Sequence, residues 1–164
     1  MENSYENGSE NVYKHYRLRA AQYNEALSSR EKASELLGIS PSSLANYELG
    51  ITKTVPVDMV VMMADLYKAP ELRNLYCKQE CPIGKFLSMA TEAKDLDNIT
   101  IRIMNSLDDD EIRGIKKDLL KIAEDGEISE DERGDFDKIL EKLEGIANEV
   151  SELKILAEKL NKSR

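Results

Sequence analysis

Apolar residues in the first half of the chain recur at helical spacing, cut into short runs by Gly, Pro and Ser. Tyr16, Ala20 and Tyr23 share one face of a predicted first helix from Tyr13 to about Ala26. Ser29 is placed to cap a second helix whose Ala33, Leu36 and Leu37 form one face, and Gly38 supplies the positive-φ residue that stops it. Buried Ile39 plugs the corner. Ser40 then caps a third helix with Pro41 at its first position, where a missing N–H costs nothing. In that helix Leu44 and Tyr47 face inward, while Ser42, Ser43, Ala45 and Asn46 face out. This is the pattern of a helix-turn-helix. Val57–Tyr67 and Pro70–Tyr76 supply a fourth and a fifth helix.

Pro and Gly break the pattern between Cys77 and Gly84, and the periodicity beyond is different. Leu96, Ile99 and Ile103 line one helix expected from about Phe86 to Ser106. Asp108 with Glu111, and Ser129 with Glu132, have the spacing of capping boxes. The first opens a helix with Ile112, Ile115, Leu119 and Ile122 on one stripe, ended by Gly126. The second opens a last helix running to about Leu160. That helix carries a heptad, with Phe136, Leu143, Val150 and Ala157 at one position and Ile139, Ile146, Leu153 and Leu160 at the other. A lone helix cannot bury such a seam, so these residues are expected to pack against the preceding helices, a second copy of the chain, or both. Leu140, Ala147 and Leu156 widen the stripe, which favours a bundle or a dimer of hairpins over a two-stranded coil.

Gly38, Ile39, Ser40, Ser43, Leu44, Tyr47, Glu48 and Gly50 fit one known turn-and-helix pattern. Over about residues 13–80 the chain resembles the DNA-binding domains of the Xre, or lambda-repressor-like, family. It departs at Ala33-Ser34, smaller and more polar than the family's pair there. The resemblance implies an all-α fold: a five-helix lambda-repressor-like DNA-binding domain, followed here by a helical hairpin or bundle with a long last helix. It implies a dimeric transcriptional regulator, of the repressor type found in prophages and mobile elements, with Pro41–Leu49 laid in the major groove of a duplex operator. Pro41, Ser42, Ala45 and Asn46 would then read bases. The Asn46 amide can bond bidentately to the N6 and N7 edge of adenine, and Pro41 and Ala45 can touch a thymine methyl. Arg30, Ser43, Thr52 and Lys53 would contact phosphate. Glu48 is expected to be structural.

Charge modifies this picture. The 164-residue chain has a net charge of −9, but residues 13–55 hold six basic and four acidic side chains. Residues 81–164 hold fourteen basic and twenty-one acidic ones, so the acidity lies away from the expected DNA face. A net of +2 over 13–55 is a thin electrostatic footprint, and it predicts modest non-specific affinity that dimerisation must reinforce. The expected organisation is a disordered leader (1–12), a DNA-binding domain (13–80), a linker (81–85) and an acidic helical oligomerisation module (86–164). No apolar run approaches the length of a membrane span and Met1–Asn11 lacks a signal-peptide pattern, so a cytoplasmic location is expected.

Other candidate chemistry is weaker. Cys77 and Cys81 are four apart and the one His, His15, is distant. Two thiols packed as small hydrophobes are the expectation, with a zinc site shared between chains as the alternative. Asp125 to Glu132 imitates the second half of a calcium loop, but Lys121 and Ala123 stand where ligands belong, so a helix–Gly–cap turn is expected instead. No nucleophile–base pair or phosphate loop occurs, so neither an enzyme nor a cofactor is expected. A second functional class stays open: an interaction or inhibitor protein whose acidic half binds a basic protein partner, with the helix-turn-helix structural.

Overall fold

The structure is a computed structural model that describes residues 11–124 and 126–162, and every regular element in it is helical. The chain divides into two compact units, one ending at Lys85 and the other spanning Phe86–Leu160.

In the first unit, α1 (Val12–Ala20) is followed by a 3₁₀ turn (Glu25–Ser28), α2 (Arg30–Leu37), α3 (Pro41–Glu48), α4 (Val57–Leu66) and α5 (Glu71–Gln79). The first helix is shorter than its apolar spacing predicts. The Ala20 carbonyl accepts from the amides of both Tyr23 and Asn24, which tightens the chain into a turn, and the Asn24 side chain caps the 3₁₀ segment. Tyr23 consequently sits outside the core, 56% exposed. The Ser29 and Ser40 caps form as expected: Ser29 accepts from the Lys32 amide and Ser40 from the Ser43 amide. Gly38 adopts φ +68°, a conformation that would strain any side-chain-bearing residue.

One apolar cluster holds these helices together. Tyr13, Tyr16 and Ala20 of α1 meet Ala33 and Leu37 of α2, Leu44 of α3, Val60 and Met63 of α4, and Leu72 of α5. The segment expected to be a linker instead closes this unit. The amides of Glu80 and Cys81 both donate to the Tyr76 carbonyl, and Gly84 is buried so close that a Cβ would lie 1.6 Å from the Cys77 carbonyl oxygen. Cys77 and Cys81 are half-buried free thiols packed against the same cluster.

The second unit contains α6 (Leu96–Ser106), α7 (Asp109–Ile122) and α8 (Glu130–Lys162). The helix expected from Phe86 begins only at Leu96, where Asp95 caps it by accepting from the Asn98 amide. The residues before it are tied to α8 instead, Ala90 N–H donating to Ser151 Oγ at 3.1 Å and Lys94 N–H to Glu152 Oε2 at 3.4 Å. Only half of the first predicted capping box forms. Asp108 accepts from the Asp110 amide, but Glu111 turns away to pair with Lys142 of α8. At the second, Glu132 accepts from the Ser129 amide at 3.1 Å. Asp125, part of the calcium-loop imitation, lies outside the described residues, as do residues 1–10 of the predicted leader.

Two different neighbours share α8. Ile115 and Ile122 of α7 bury Ile139, with Leu119 and Phe136 beside them. Further along, Arg102 of α6 pairs with Glu152 at 2.7 Å and Ser106 donates to Glu149 at 3.1 Å. The predicted heptad is therefore divided lengthwise. Ile139 is buried and Phe136, Ile146 and Leu153 are half-buried, whereas Leu143, Val150, Ala157 and Leu160 stay exposed.

Candidate nucleic-acid interface

Three residues, Gly38 to Ser40, join α2 to α3. Leu44 anchors the inner face of α3 with no exposed surface, and Tyr47 is half-buried against the core. The outer face carries the expected reading set: Pro41 and Ser42 are exposed, and Ala45 and Asn46 are half-exposed. The Ser43 hydroxyl shares a 2.9 Å hydrogen bond with Ser40, so it serves the helix cap as well as the surface. Beyond α3, the Asn46 carbonyl accepts from the amides of Ile51 at 2.9 Å and Thr52 at 3.3 Å. That hangs the loop carrying Thr52 and Lys53 directly on the turn of helix that presents the Asn46 amide. The candidate base reader and two candidate phosphate contacts are thus brought together.

Behind this surface lies a charge cluster. Glu48, at the end of α3, has a fully buried side chain. Arg17 of α1, also buried, donates its Nε to Glu48 Oε1 at 2.5 Å and its Nη2 to Oε2 at 3.1 Å. Its Nη1 donates to the Leu27 carbonyl at 2.6 Å and the Ser28 carbonyl at 3.1 Å. Arg30 of α2 completes the set, its Nε donating to Glu48 Oε2 at 2.7 Å. Burial alone would raise the Glu48 pKa, but the hydrogen bonds and charges of Arg17 and Arg30 outweigh it and hold the carboxyl below its ordinary range. One carboxylate thus serves two guanidiniums, and the cluster carries a net positive charge. The excess emerges at Arg30, whose side chain is 36% exposed at the start of α2.

The cluster fixes α1, α2 and α3 relative to one another, with α1 further tied to α3 by Asn11 Nδ2 donating to the Tyr47 carbonyl at 3.0 Å. It also redraws the charge count. Arg17 is internal, and Arg19 pairs with buried Glu71 at 2.8 Å while its guanidinium lies 4.6 Å from the Tyr16 ring centre. Of the six basic residues in 13–55, Arg17 therefore cannot face a ligand and Arg19 is held by Glu71. The role of Arg17 was missed in the sequence, although a signal existed: it lies on the Tyr13–Tyr16–Ala20 side of α1, where a cation needs a buried partner.

Tyr67 presents a different feature. Its ring is fully buried, and its hydroxyl has no hydrogen-bond partner among the described residues. Burial, and the Glu48 charge after it, push the phenol pKa up. In the second unit, a groove between α7 and α8 is lined by Asp110, Glu111, Asp118 and Asp135 together with Lys138 and Lys142. Among the described residues no three His, Cys, Asp or Glu side chains converge as a metal site would require. No helix of the described residues is long and apolar enough to cross a membrane.

Compared with known proteins, the chain matches no family model, no curated protein and no solved structure.

Proposed function

We propose that the protein is a sequence-specific DNA-binding transcriptional regulator that acts as a dimer, of the lambda-repressor-like type. The observation that carries this reading is the α2–turn–α3 unit. Two capped helices joined at a left-handed Gly38 display short polar side chains outward and are locked from behind by the Arg17–Glu48–Arg30 cluster. In the major groove, α3 would read bases through Asn46, with Pro41, Ser42 and Ala45 in apolar or close contact. Arg30, Ser43, Thr52 and Lys53 would meet phosphates on either side. With about two phosphate-facing cations per subunit, log K for a dimer should fall against log salt with a slope of about −3 to −4.

A basic protein partner for the acidic second unit is the competing reading, and the twenty-one carboxylates against fourteen cations over residues 81–164 favour it. Selection of genomic fragments with the purified full chain decides between the two. Recovery of a short palindromic sequence supports the regulator. Recovery of random fragments only, with salt-insensitive retention, overturns it.

A further inference from the structure

We infer that the dimer forms by antiparallel pairing of α8 with α8 of a second copy, in a register centred between Ala147 and Val150; this rests on the dimeric reading above. The surface is the part of α8 that its own unit leaves uncovered. Leu140, Leu143 and Val150 are 41%, 40% and 43% exposed, and Ala147, Lys154 and Ala157 are exposed with them. These six residues alternate at spacings of three and four, the two edges of a coiled-coil seam. It is not the seam that the full heptad predicts, because α7 and α6 occupy the Ile139–Ile146 edge and the residues around Glu152.

Residue sizes along this stripe select the direction. In a parallel pair each residue meets its own copy. Ala147 would face Ala147 and Ala157 would face Ala157, leaving gaps, and Lys154 would be set against Lys154 in the seam. In an antiparallel pair centred as stated, Leu140 faces Ala157, Val150 faces Ala147 and Leu143 faces Lys154. Every small residue then receives a large one, which is how facing layers interdigitate without voids. Lys154 instead lies along the partner turn that carries Glu141 and Glu144, with its stem over Leu143.

Charge points the same way. Residues 130–144 carry seven carboxylates and three cations, whereas residues 145–162 carry three of each. Two of the latter carboxylates, Glu149 and Glu152, are buried within the unit, so the outer surface of the second half is cationic relative to the first. Antiparallel pairing sets the acidic half of one helix along the less acidic half of the other, and it also opposes the two helix dipoles favourably. The pairing needs no partner of another kind, since the stripe is complementary to itself under a two-fold axis.

The test uses the full chain with Cys77→Ser and Cys81→Ser, so that introduced thiols are the only ones. A differently tagged mixture of Leu140→Cys and Ala157→Cys proteins is oxidised with diamide, and dimer is confirmed in parallel by sedimentation at tens of micromolar. The expected result is a disulfide between the two variants, with no self-linked Ala157→Cys, because its two copies would sit about 25 Å apart along the axis. Self-linking of Ala157→Cys would overturn the antiparallel register while leaving a dimer. Sedimenting dimer with no cross-link at all would place the interface elsewhere. Monomer would remove the dimer itself, and DNA binding by that monomer would show that the recognition surface stands without it. Lys154→Glu provides an independent readout. It puts a carboxylate beside Glu141 and Glu144 of the partner and should weaken the dimer roughly tenfold. Unchanged or tighter association would overturn the register, since a parallel pair would only exchange one like-charge contact for another.

Discussion

Both units expose some large apolar side chains, but they gather buried ones to very different extents. Among the described residues the first gathers sixteen buried apolar residues into one cluster and buries two carboxylates with it, Glu48 against Arg17 and Glu71 against the partly exposed Arg19. The second has a cluster of three buried isoleucines, pairs its buried glutamates with Arg102 and Ser106 near one edge, and leaves leucine and valine on the outside of a 33-residue helix. On the proposed reading, presenting α3 at a fixed angle needs a rigid backing, and the buried Arg17–Glu48 pair, with four hydrogen bonds from the guanidinium, supplies that orientation. On the proposed dimeric reading, the apolar groups along α8 stay outside until a second copy covers them.

The largest effect is expected at Glu48. Glu48→Ala leaves Arg17 as an uncompensated buried cation and should destabilise the first unit by about 3–5 kcal/mol. All seven tyrosines lie at or before residue 76, so tyrosine fluorescence or near-ultraviolet dichroism during urea unfolding reports this unit selectively. The far-ultraviolet signal of α6–α8 should persist after the tyrosine transition in the variant. Loss of both signals together would mean that the units are not independent.

Next in size is the exposed stripe. Val150→Asp should cost on the order of 2–3 kcal/mol of dimerisation, from the apolar burial lost across a symmetric pair. Sedimentation equilibrium measures it, and the tyrosine transition of the first unit should not move. At the candidate DNA face, Asn46→Ala should lose about 1–3 kcal/mol at one base position only. Lys53→Ala should weaken all sequences alike and reduce the salt slope by about one per subunit. Competition titrations over single-base operator variants separate the two patterns.

Acid should act through Glu48. Its folded-state pKa lies below the unfolded value, so its contribution is complete above about pH 4.3 and is lost as pH falls through the folded value. Tyrosine-detected stability should therefore hold the full Glu48 contribution and change little with pH near neutrality, then drop on the acid side, and Glu48→Gln should flatten that drop. The smallest expected effect is at Tyr67. Removing a buried hydroxyl that has no partner among the described residues should leave stability unchanged or raise it by up to about 1 kcal/mol in Tyr67→Phe. A loss larger than that would show the hydroxyl to be engaged.

Local chemistry was legible in the sequence wherever a single residue decides the backbone. Ser29, Gly38, Ser40 and Pro41 place α2 and α3 to the residue, because a cap or a positive φ admits few alternatives. Boundaries set by competition were not legible. The end of α1 depends on the Ala20 carbonyl capturing two amides, and the late start of α6 depends on Ala90 and Lys94 finding partners 61 and 58 residues away. The heptad of α8 was visible as a pattern, but a period says only that a seam exists. Which edge packs inside depends on α6 and α7, and they take one edge and leave the other. The Arg17–Glu48 lock was half legible: Glu48 reads as structural in the sequence, while its partners come from two other helices.

Whether α3 reads DNA is tested most directly by the affinity of the full chain for its best selected duplex against random duplex over a range of salt. The predicted result is tighter binding to the selected site, with both affinities falling as salt rises and the Asn46→Ala variant losing the preference while keeping the salt dependence. Equal affinity for both duplexes, or retention that ignores salt and Asn46 alike, would contradict it.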